Sequence, residues 1–312
     1  MTSTATRVAT VDCGTNSVRL LVADVDASVG RLADVERRME ITRLGQGVDS
    51  TGRLAPEALD RTLRVLGDYA HAVGAHGAEK ARVAATSATR DADNRADFVD
   101  GVIDILGVRP EVLTGEEEAA LSYVGATREL AGMVDLPPPH LVVDIGGGST
   151  EYVLGDGEAR AARSVDVGSV RLTERHLHDD PPTALQASAA ADDVDRALDL
   201  VSDTVSLVEA RSLIGLAGTV TTVAGIALGL SSYDPERIHH SRLSAADVHD
   251  VTERLLGMSR EERAAMPVIH PGRVDVIAAG ALVLSRTIRR LGLPELLVSE
   301  HDILDGLAWS LV

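Results

Sequence analysis

Asp12, Gly14 and Ser17 form a D-x-G-x-x-S pattern that places a carboxylate, a glycine and a hydroxyl within six residues. Thr15 and Asn16 lie between them and add a second hydroxyl and an amide. Glycine lets backbone N–H groups approach an anion closely, and hydroxyl groups donate further hydrogen bonds. The carboxylate can hold a divalent metal ion that shares the same anion. The pattern therefore predicts a turn that binds phosphate.

The same pattern occurs a second time in the second half of the chain. Asp144, Gly146 and Ser149 repeat its three positions without a gap, and Gly147 and Gly148 lie between them. Both copies are flanked by runs rich in Val and Leu that predict strands, so each turn is expected at the tip of a β-hairpin. Two ordinary glycine hairpins are the alternative. Two copies, each opening about half of the chain, favour a pair of ligand-binding turns.

Further segments extend these patterns into a set. The motifs, in chain order, are DCGTNSVRLLV (12–22), ATSATRDA (85–92), TGEEEA (114–119), DIGGGSTE (144–151), VGSVRLTE (167–174), GLAGTVTT (215–222) and VDVIAAGALVL (274–284). Together they resemble the exopolyphosphatase/guanosine pentaphosphate phosphohydrolase family, over nearly the whole chain. This family is part of the actin, sugar-kinase and heat-shock-chaperone superfamily.

The resemblance implies an α/β fold of two actin-like (ribonuclease H-like) domains, with the active site in the cleft between them. It places domain I at residues 1–125, with a C-terminal helix at 301–312 that packs back onto it, and domain II at residues 126–300. The strands that alternate with helices in the first half of the sequence also favour an α/β domain.

Several elements are expected to position these motifs. Pro56 predicts the first turn of a helix, and Glu57–Ala75 carries apolar residues at helical spacing. Val108–Leu113 predicts a short strand, and Thr114 is expected to cap a helix over Glu116–Ala131.

Glu116, Glu117 and Glu118 would lie in the first turn of that helix, where the helix dipole favours acidic residues. Beside phosphate-binding turns, a carboxylate can instead orient and deprotonate the attacking water. The resemblance implies that the first of the paired glutamates in a G-x-E-E-A pattern is the base, which corresponds to Glu117. Glu118 is the alternative, because a one-residue shift of the helix start exchanges the side chain that faces the cleft. Glu151 is the further catalytic candidate.

Two arginines are expected to contact phosphate. Arg90 matches the arginine of the family's A-T-S-A-x-R-x-A segment, and Arg19 occupies the position at which the second copy has Glu151. The resemblance also implies Mg²⁺ or Mn²⁺ at Asp12 and Asp144. Bound waters are expected to mediate this contact, because Mg²⁺ dehydrates reluctantly.

A competing mechanism is suggested by Cys13 and Arg19, whose C-x5-R spacing is the signature of cysteine-dependent phosphatases. In those enzymes the loop must lead into a helix whose N-terminus lowers the thiol pKa. Here the residues after Arg19 predict a strand. Cys13 is therefore expected to pack as a small hydrophobic residue.

Other polar residues carry weaker expectations. Arg171 and Arg273 are secondary candidates for phosphate contact. His239 and His240 are adjacent, and adjacent histidines on an extended segment point in opposite directions, so we expect no metal site there. Leu304 departs from the family pattern, which has an arginine at this position, and any contact of that arginine would be missing.

Composition excludes several classes of partner. The formal net charge is −18, which argues against nucleic acid, because proteins that bind it normally have a basic face. No apolar run approaches eighteen residues, so no membrane span is predicted. The one cysteine fits a reducing cytoplasm. Lys80 is the only lysine, and this excludes a Walker A loop.

The function that we predict is an exopolyphosphatase that releases terminal orthophosphate from inorganic polyphosphate, with short chains preferred. The alternatives are a guanosine pentaphosphate phosphohydrolase, a kinase on the same fold, and a non-catalytic protein that binds polyphosphate or alarmone. The resemblance further implies a homodimer.

Overall fold

The structure, a computed structural model, describes residues 5–130 and 135–312. The chain divides into two compact units. Unit 1 comprises Met1–Gly125 and Ile303–Val312, and unit 2 comprises Ala126–Asp302. Each unit is built around one mixed β-sheet.

Unit 1 has a five-stranded sheet in the order β3-β2-β1-β4-β5. Strands β1, β2 and β3 are antiparallel neighbours, whereas β1, β4 and β5 run parallel. The elements are β1 (Thr6–Cys13), β2 (Ser17–Asp26), β3 (Arg31–Ile41), α1 (Val48–Thr51), α2 (Pro56–His76), β4 (Lys80–Ala85), α3 (Ser87–Arg90), α4 (Arg95–Leu106), β5 (Glu111–Val112) and α5 (Gly115–Thr127), which ends just past the unit boundary.

Unit 2 has a six-stranded sheet in the order β10-β11-β9-β6-β7-β8. Its elements are β6 (His140–Ile145), β7 (Thr150–Asp156), β8 (Glu158–Val165), α6 (Ser169–His176), α7 (Ala184–Ser202), β9 (Ser212–Leu216), α8 (Ala217–Ala227), α9 (Pro235–Ile238), β10 (Arg242–Ser244), α10 (Ala245–Gly257), α11 (Arg260–Ala264), α12 (Ile277–Leu291) and β11 (Glu295–Val298). The last helix, α13 (Ile303–Trp309), belongs to unit 1.

The two sheets repeat one topology. The order β8-β7-β6-β9-β11 in unit 2 corresponds to β3-β2-β1-β4-β5 in unit 1, and β10 adds an antiparallel strand at the edge. In each unit the first two strands form a hairpin whose turn carries the D-x-G-x-x-S pattern. The predicted α/β fold class is therefore confirmed, and the sequence repeat corresponds to a structural repeat.

Helices that face the unit 1 sheet follow their sequence signals. Helix α2 begins at Pro56 and ends before Gly77, which has φ of +65°, a conformation that glycine adopts without strain. Its buried face, with Leu66 and Tyr69, packs with Val11 and Val22 of the sheet in one apolar core. This packing anchors the β1–β2 hairpin to α2.

Two element bounds differ from the prediction. Strand β5 is only two residues long, because Val108 to Pro110 pair with no neighbouring strand. Helix α5 begins one residue earlier than expected, at Gly115, and ends at Thr127. The predicted end at Ala131 lies outside the described residues. Among the helices of the described segments, none combines the length and apolar character that a membrane span needs.

Candidate active site

The first turn, Gly14–Asn16, has its carbonyl groups bound by the segment that follows β3. Gly45 donates its N–H to the carbonyl of Thr15 at 2.8 Å, and Thr42 and Arg43 donate theirs to the carbonyl of Asn16 at 3.1 and 2.9 Å. Because a trans peptide points its N–H opposite to its C=O, these peptide links direct their N–H groups away from that segment. Such N–H groups are suited to an anion.

The second turn, Gly146–Gly148, has the same construction. The carbonyl of Gly146 accepts the N–H of Ser169 at 2.9 Å, and that of Gly147 accepts the N–H groups of Val170 and Arg171 at 2.8 and 3.1 Å. In both turns the first glycine donates its N–H across the hairpin, Gly14 to Ser17 and Gly146 to Ser149, at 3.0 and 3.1 Å. The N-terminal end of α6 thus fixes the glycine turn.

Arg171 and Gly168 complete this contact. Arg171 donates Nε to the carbonyl of Gly148 at 2.7 Å, so this residue supports the turn from behind. Gly168 approaches the turn so closely that a Cβ atom there would lie 2.5 Å from the carbonyl carbon and oxygen of Gly147. The positioning role of Gly168 was missed from the sequence, although the residue lies in the quoted VGSVRLTE motif.

The two aspartates of the repeat have opposite partners across their hairpins. Asp12 faces Arg19 in the β1–β2 register, and the guanidinium donates Nε and Nη2 to Oδ2 of Asp12 at 3.1 and 2.7 Å. Asp144 faces Glu151 in the β6–β7 register. Glu151 is fully buried and accepts a hydrogen bond from Ser164 Oγ at 2.7 Å.

The second pair differs from the first in that both of its members are carboxylates. Two acidic residues directly opposite each other on neighbouring strands repel, and a bound cation removes this repulsion. Asp144 and Glu151 supply the hard oxygen ligands that Mg²⁺ prefers. The Asp12 carboxylate is already paired with Arg19. Asp12 and Asp144, which occupy equivalent positions in the repeat, therefore have different charged neighbours.

The three glutamates of α5 have three different environments. Glu117 folds back onto Thr114, whose N–H and hydroxyl donate to its Oε2 at 2.8 and 3.0 Å. These hydrogen bonds, with the backbone one first, lower the pKa of the exposed Glu117 carboxyl. Glu118 is buried and accepts a charged hydrogen bond from Arg90 at 3.2 Å. Glu116 is exposed.

The geometry therefore favours Glu118, the alternative, over Glu117. Both side chains remain candidates, but only Glu118 contacts the arginine that the sequence assigns to phosphate. The helix starts one residue earlier than expected, and one residue turns an α-helix by about 100°. Thr114 is then the N-cap, Glu117 in the first turn bonds back to it, and Glu118 is directed toward Arg90.

Arg90 is linked to the first turn through its own short helix. Ser87, at the start of α3, exchanges a hydrogen bond of 2.8 Å with the Thr15 hydroxyl. Arg90, at the end of α3, also donates to the carbonyl of Leu113 at 3.1 Å. Unit 1 thus connects the first turn to Ser87 at the start of α3, and Arg90 at the end of α3 to Glu118.

Cys13 is not placed for nucleophilic chemistry. The side chain is fully buried, and this burial raises the pKa of its thiol well above the usual value. Strand β2, and not a helix, follows the turn. The structure thus agrees with the expectation that Cys13 packs as a small hydrophobic residue.

Arg273 lies against the N-terminal end of α8. Its guanidinium is so close to Gly218 that a Cβ atom there would lie 2.2 Å from the central guanidinium carbon, and it donates to the Thr222 hydroxyl at 3.3 Å. Ala217, the first residue of α8, has φ of +66°, an unusual value for alanine. A strained turn, a helix N-terminus and an arginine together are suited to an anion.

The expectation that His239 and His240 lie on an extended segment and point in opposite directions is wrong. His240 has φ of +59°, so the segment is not extended, and the rings of His239 and His240 stack with centroids 3.7 Å apart. His239 then faces Glu129 and His301, which are far from it in sequence. No local pattern in the sequence predicts this cluster.

Leu304 is part of an apolar core in unit 1. It packs with Val8 and Leu21 of the sheet, and its carbonyl accepts a hydrogen bond from the Thr10 hydroxyl at 3.1 Å. The next residue, Asp305, is buried and paired with Arg37 at 2.6 Å. The position at which the family has an arginine is therefore used for packing in this chain.

Known proteins resemble this chain over most of its length. Exopolyphosphatase 2 of Mycobacterium tuberculosis is 52% identical over 317 residues, which cover 98% of both chains. A guanosine-5'-triphosphate,3'-diphosphate pyrophosphatase of Photobacterium profundum is 32% identical, over 80% of this chain and 51% of its own. A crystal structure of an exopolyphosphatase-like protein matches with a TM-score of 0.93 at 43% identity, over 98% of both chains.

The family model for these proteins matches residues 21–312 of the chain. This match begins within β2, so β1, the first turn and the first four residues of β2 precede it. The repeated hairpins, the motifs in their order and the full-length relatives lead to one assignment: the chain belongs to the Ppx/GppA phosphatase family.

Proposed function

We propose that this protein is an exopolyphosphatase that releases terminal orthophosphate from inorganic polyphosphate. The observation that carries the proposal is the pair of turns whose carbonyls are bound from behind, because this arrangement leaves N–H groups for phosphate oxygens. Two comparisons support polyphosphate as the substrate class. The chain belongs to a phosphatase family, and a relative with 52% identity is named exopolyphosphatase 2.

In this proposal the turns and Arg90 hold the terminal phosphates. The residues that we assign to phosphate are Gly14, Thr15, Asn16, Ser17, Arg19, Arg90, Gly146, Gly147, Gly148 and Ser149. Arg19 and Arg90 are already paired with carboxylates, so a phosphate that reaches them would share these guanidinium groups with Asp12 and Glu118. The pairs keep both arginines oriented before the substrate arrives.

Glu118 is the proposed general base. It accepts a proton from water while the water oxygen forms a bond to the terminal phosphorus, in line with the bond that breaks to the bridging oxygen. The bridging oxygen leaves with the shortened chain, and the products are orthophosphate and a polymer with one phosphate fewer. Glu117 is the second choice, and Glu151 is assigned to the cation.

We propose Mg²⁺ or Mn²⁺ as the cation, held by Asp144 and Glu151 with Asp12 in support. When bound, such a cation would neutralise charge that develops on the phosphate oxygens. The homodimer and the cytoplasmic location implied by the family resemblance remain parts of this proposal. Light scattering on the purified protein would measure the oligomeric state.

Guanosine pentaphosphate is the second candidate substrate, because it presents the same terminal anhydride. The guanosine pyrophosphatase relative supports it, at 32% identity. We rank it second because the relative with 52% identity has the exopolyphosphatase name. A kinase would need an acceptor pocket and an aspartate base, and no observation favours these here.

The test is phosphate release by the full chain from short polyphosphate, long polyphosphate and guanosine pentaphosphate, at equal concentrations of chain ends. Each reaction is run with Mg²⁺, with Mn²⁺ and with excess chelator, and ADP is added in a parallel set. We expect orthophosphate from polyphosphate, with a larger kcat/KM than for guanosine pentaphosphate, no ATP, and no activity in chelator. A larger kcat/KM for guanosine pentaphosphate, or ATP formation, would reject the proposed function.

A further inference from the structure

Glu129, His239 and His301 form a cluster in unit 2, which we call the His–Glu cluster. Oε2 of Glu129 lies 3.1 Å from Nδ1 of His301 and 3.7 Å from Nε2 of His239. One ligand atom from each of the three residues lies within 4.8 Å of the other two. In a tetrahedral zinc site, bonds of about 2.0–2.2 Å place neighbouring ligand atoms roughly 3.3–3.6 Å apart. The cluster is close to that spacing.

The backbone holds the two imidazoles in place. His239 ends α9, with its N–H on the carbonyl of Pro235 at 2.9 Å, and the next residue, His240, donates to the carbonyl of Val298 at 2.8 Å. His301 follows the same strand, β11, and donates its N–H to Ser299 Oγ at 3.0 Å. The two histidines therefore approach each other because the α9–β10 connection is bonded to the end of β11.

Glu129 comes from a separate short 3₁₀-helix after α5. Its side chain is 36% exposed, and those of His239 and His301 are 23% and 22% exposed. The two imidazoles are fixed and largely covered, whereas the Glu129 carboxylate is more exposed. An ion from solvent can therefore reach the cluster on the side of Glu129.

The cluster is distinct from the proposed Mg²⁺ position. In the unit 2 sheet, β9 lies between β6, which ends near Asp144, and β11, which ends near His301. Two strand spacings correspond to about 10 Å. The ligand types also differ, because imidazole nitrogens suit zinc-class metals, whereas Mg²⁺ prefers oxygen ligands.

We propose that Glu129, His239 and His301 bind a divalent transition-metal ion of the zinc class, with a fourth position open to water or another ligand. Two histidines and one glutamate are a known zinc ligand set. This site is independent of the phosphohydrolase assignment.

Binding requires one rearrangement. Nδ1 of His239 accepts a hydrogen bond from the N–H of Glu300 at 3.1 Å, so the proton of the neutral ring is on Nε2. When Nε2 binds the metal, the proton moves to Nδ1 and this hydrogen bond is lost. We therefore expect a reversible site that is weaker than a closed structural zinc site, which four protein ligands complete.

The experiment titrates Zn²⁺ into chelator-treated full-length protein against a coloured zinc indicator, with excess Mg²⁺ to occupy the proposed Mg²⁺ position. The variants are Glu129→Gln and His301→Asn, and the matched control is His178→Asn, which removes an exposed histidine outside the cluster. We expect one Zn²⁺ per chain in the wild type, affinity at least about tenfold lower in the two cluster variants, and no change in the control. Thermal melts establish that each variant is folded.

Co²⁺ added to the wild type gives a second measurement that needs no variant. Four-coordinate Co²⁺ with imidazole ligands absorbs visible light far more strongly than the hydrated ion, and His301→Asn should remove this band. Absence of the band in the wild type, or Zn²⁺ affinity that is equal in wild type and both cluster variants, would overturn the proposal. The cluster would then be an ion pair only.

Discussion

Glu116, Glu117 and Glu118 are adjacent in sequence and identical in type, yet each has its own surroundings. Glu116 is exposed, Glu117 caps its own helix, and Glu118 pairs with Arg90. A carboxylate held against a helix N-terminus is less basic, whereas one beside the arginine that we assign to phosphate would lie near the reacting group. We therefore expect that only one of the three glutamates acts as the base, and single substitutions can identify which one.

Glu118→Gln should lower kcat by about a hundredfold or more, the usual scale of general-base catalysis. Glu117→Gln should keep more than half of kcat, because glutamine also completes a capping box and the helix stays capped. Glu116→Gln is the matched control. Steady-state kinetics with Mg²⁺ and short polyphosphate measure all three.

Two results would contradict this assignment. If Glu117→Gln loses a hundredfold and Glu118→Gln does not, the base is Glu117, as the family pattern implies. If Glu118→Gln raises KM and leaves kcat unchanged, Glu118 only orients Arg90.

Cys13→Ser should keep at least half of kcat, because the buried thiol has a raised pKa and takes no part in the proposed attack of water. A thiol reagent should modify no cysteine in the folded protein at pH 8 and one per chain in denaturant. A covalent phosphocysteine trapped during turnover would reject the attack of water.

At the scale of elements, the shape of each hairpin turn, and with it the phosphate binding that we propose, depends on a segment outside the hairpin. The residues after β3 bind the carbonyls of the first turn, and the start of α6 binds those of the second. The turn is thereby fixed before substrate arrives, which reduces the ordering that binding requires.

Gly168→Ala should disrupt the second turn, because its new Cβ atom would lie 2.5 Å from backbone atoms of Gly147. We expect kcat/KM to fall by about tenfold or more, through loss of positioning. The matched control is Gly67→Ala in α2, where the added Cβ meets no atom within 4 Å. Activity equal to the control would show that the turn tolerates displacement, and a thermal melt separates this effect from global destabilisation.

Local signals in the sequence explain which elements were predicted. Pro56 and the apolar spacing after it predict helix α2, and the two D-x-G-x-x-S patterns predict both hairpins. Helix α5 was predicted with its start displaced by one residue, and the side chain that we propose as the base differs from the predicted one, Glu117, by the same single residue. An error of one residue in a predicted helix start thus changes which side chain is expected to face the site, although the helix itself is predicted correctly.

Contacts between distant residues were not predictable in this way. Glu129 and His301 lie 3.1 Å apart although 172 positions separate them in sequence, and His240 adopts a left-handed conformation that no glycine signals. The pairing of Asp12 with Arg19, in contrast, follows from hairpin register and could have been found, since cross-strand partners are determined once the turn is known.

At the scale of the whole molecule, charge opposes the substrate. The formal net charge is −18 and Lys80 is the only lysine, whereas polyphosphate carries about one negative charge per phosphate. A strongly acidic protein repels a polyanion at long range. Favourable contacts must therefore come from a few arginines and the proposed cation close to the reacting phosphate.

We predict that kcat/KM, per chain end, is highest for short polyphosphates and falls for long ones. The decline should be steeper at low ionic strength, because salt at 0.1 M screens charges beyond about 10 Å. Phosphate release from chains of defined length, at two salt concentrations, measures both effects. Equal or larger values for polymers of several hundred phosphates would show that a basic surface on the assembled protein overcomes the net charge.

The return of α13 to unit 1 has a spectroscopic consequence. Trp309 is the only tryptophan, and it is 6% exposed in the apolar core that α13 forms with Val8 and Leu21. Its fluorescence therefore reports whether this helix is docked. Unit 1 is complete only after residues 303–312 have been synthesised, whereas unit 2 is one contiguous segment, residues 126–302. Denaturation followed by tryptophan emission and by far-ultraviolet circular dichroism should thus give separate midpoints if the two units unfold independently, and a single midpoint if they unfold together.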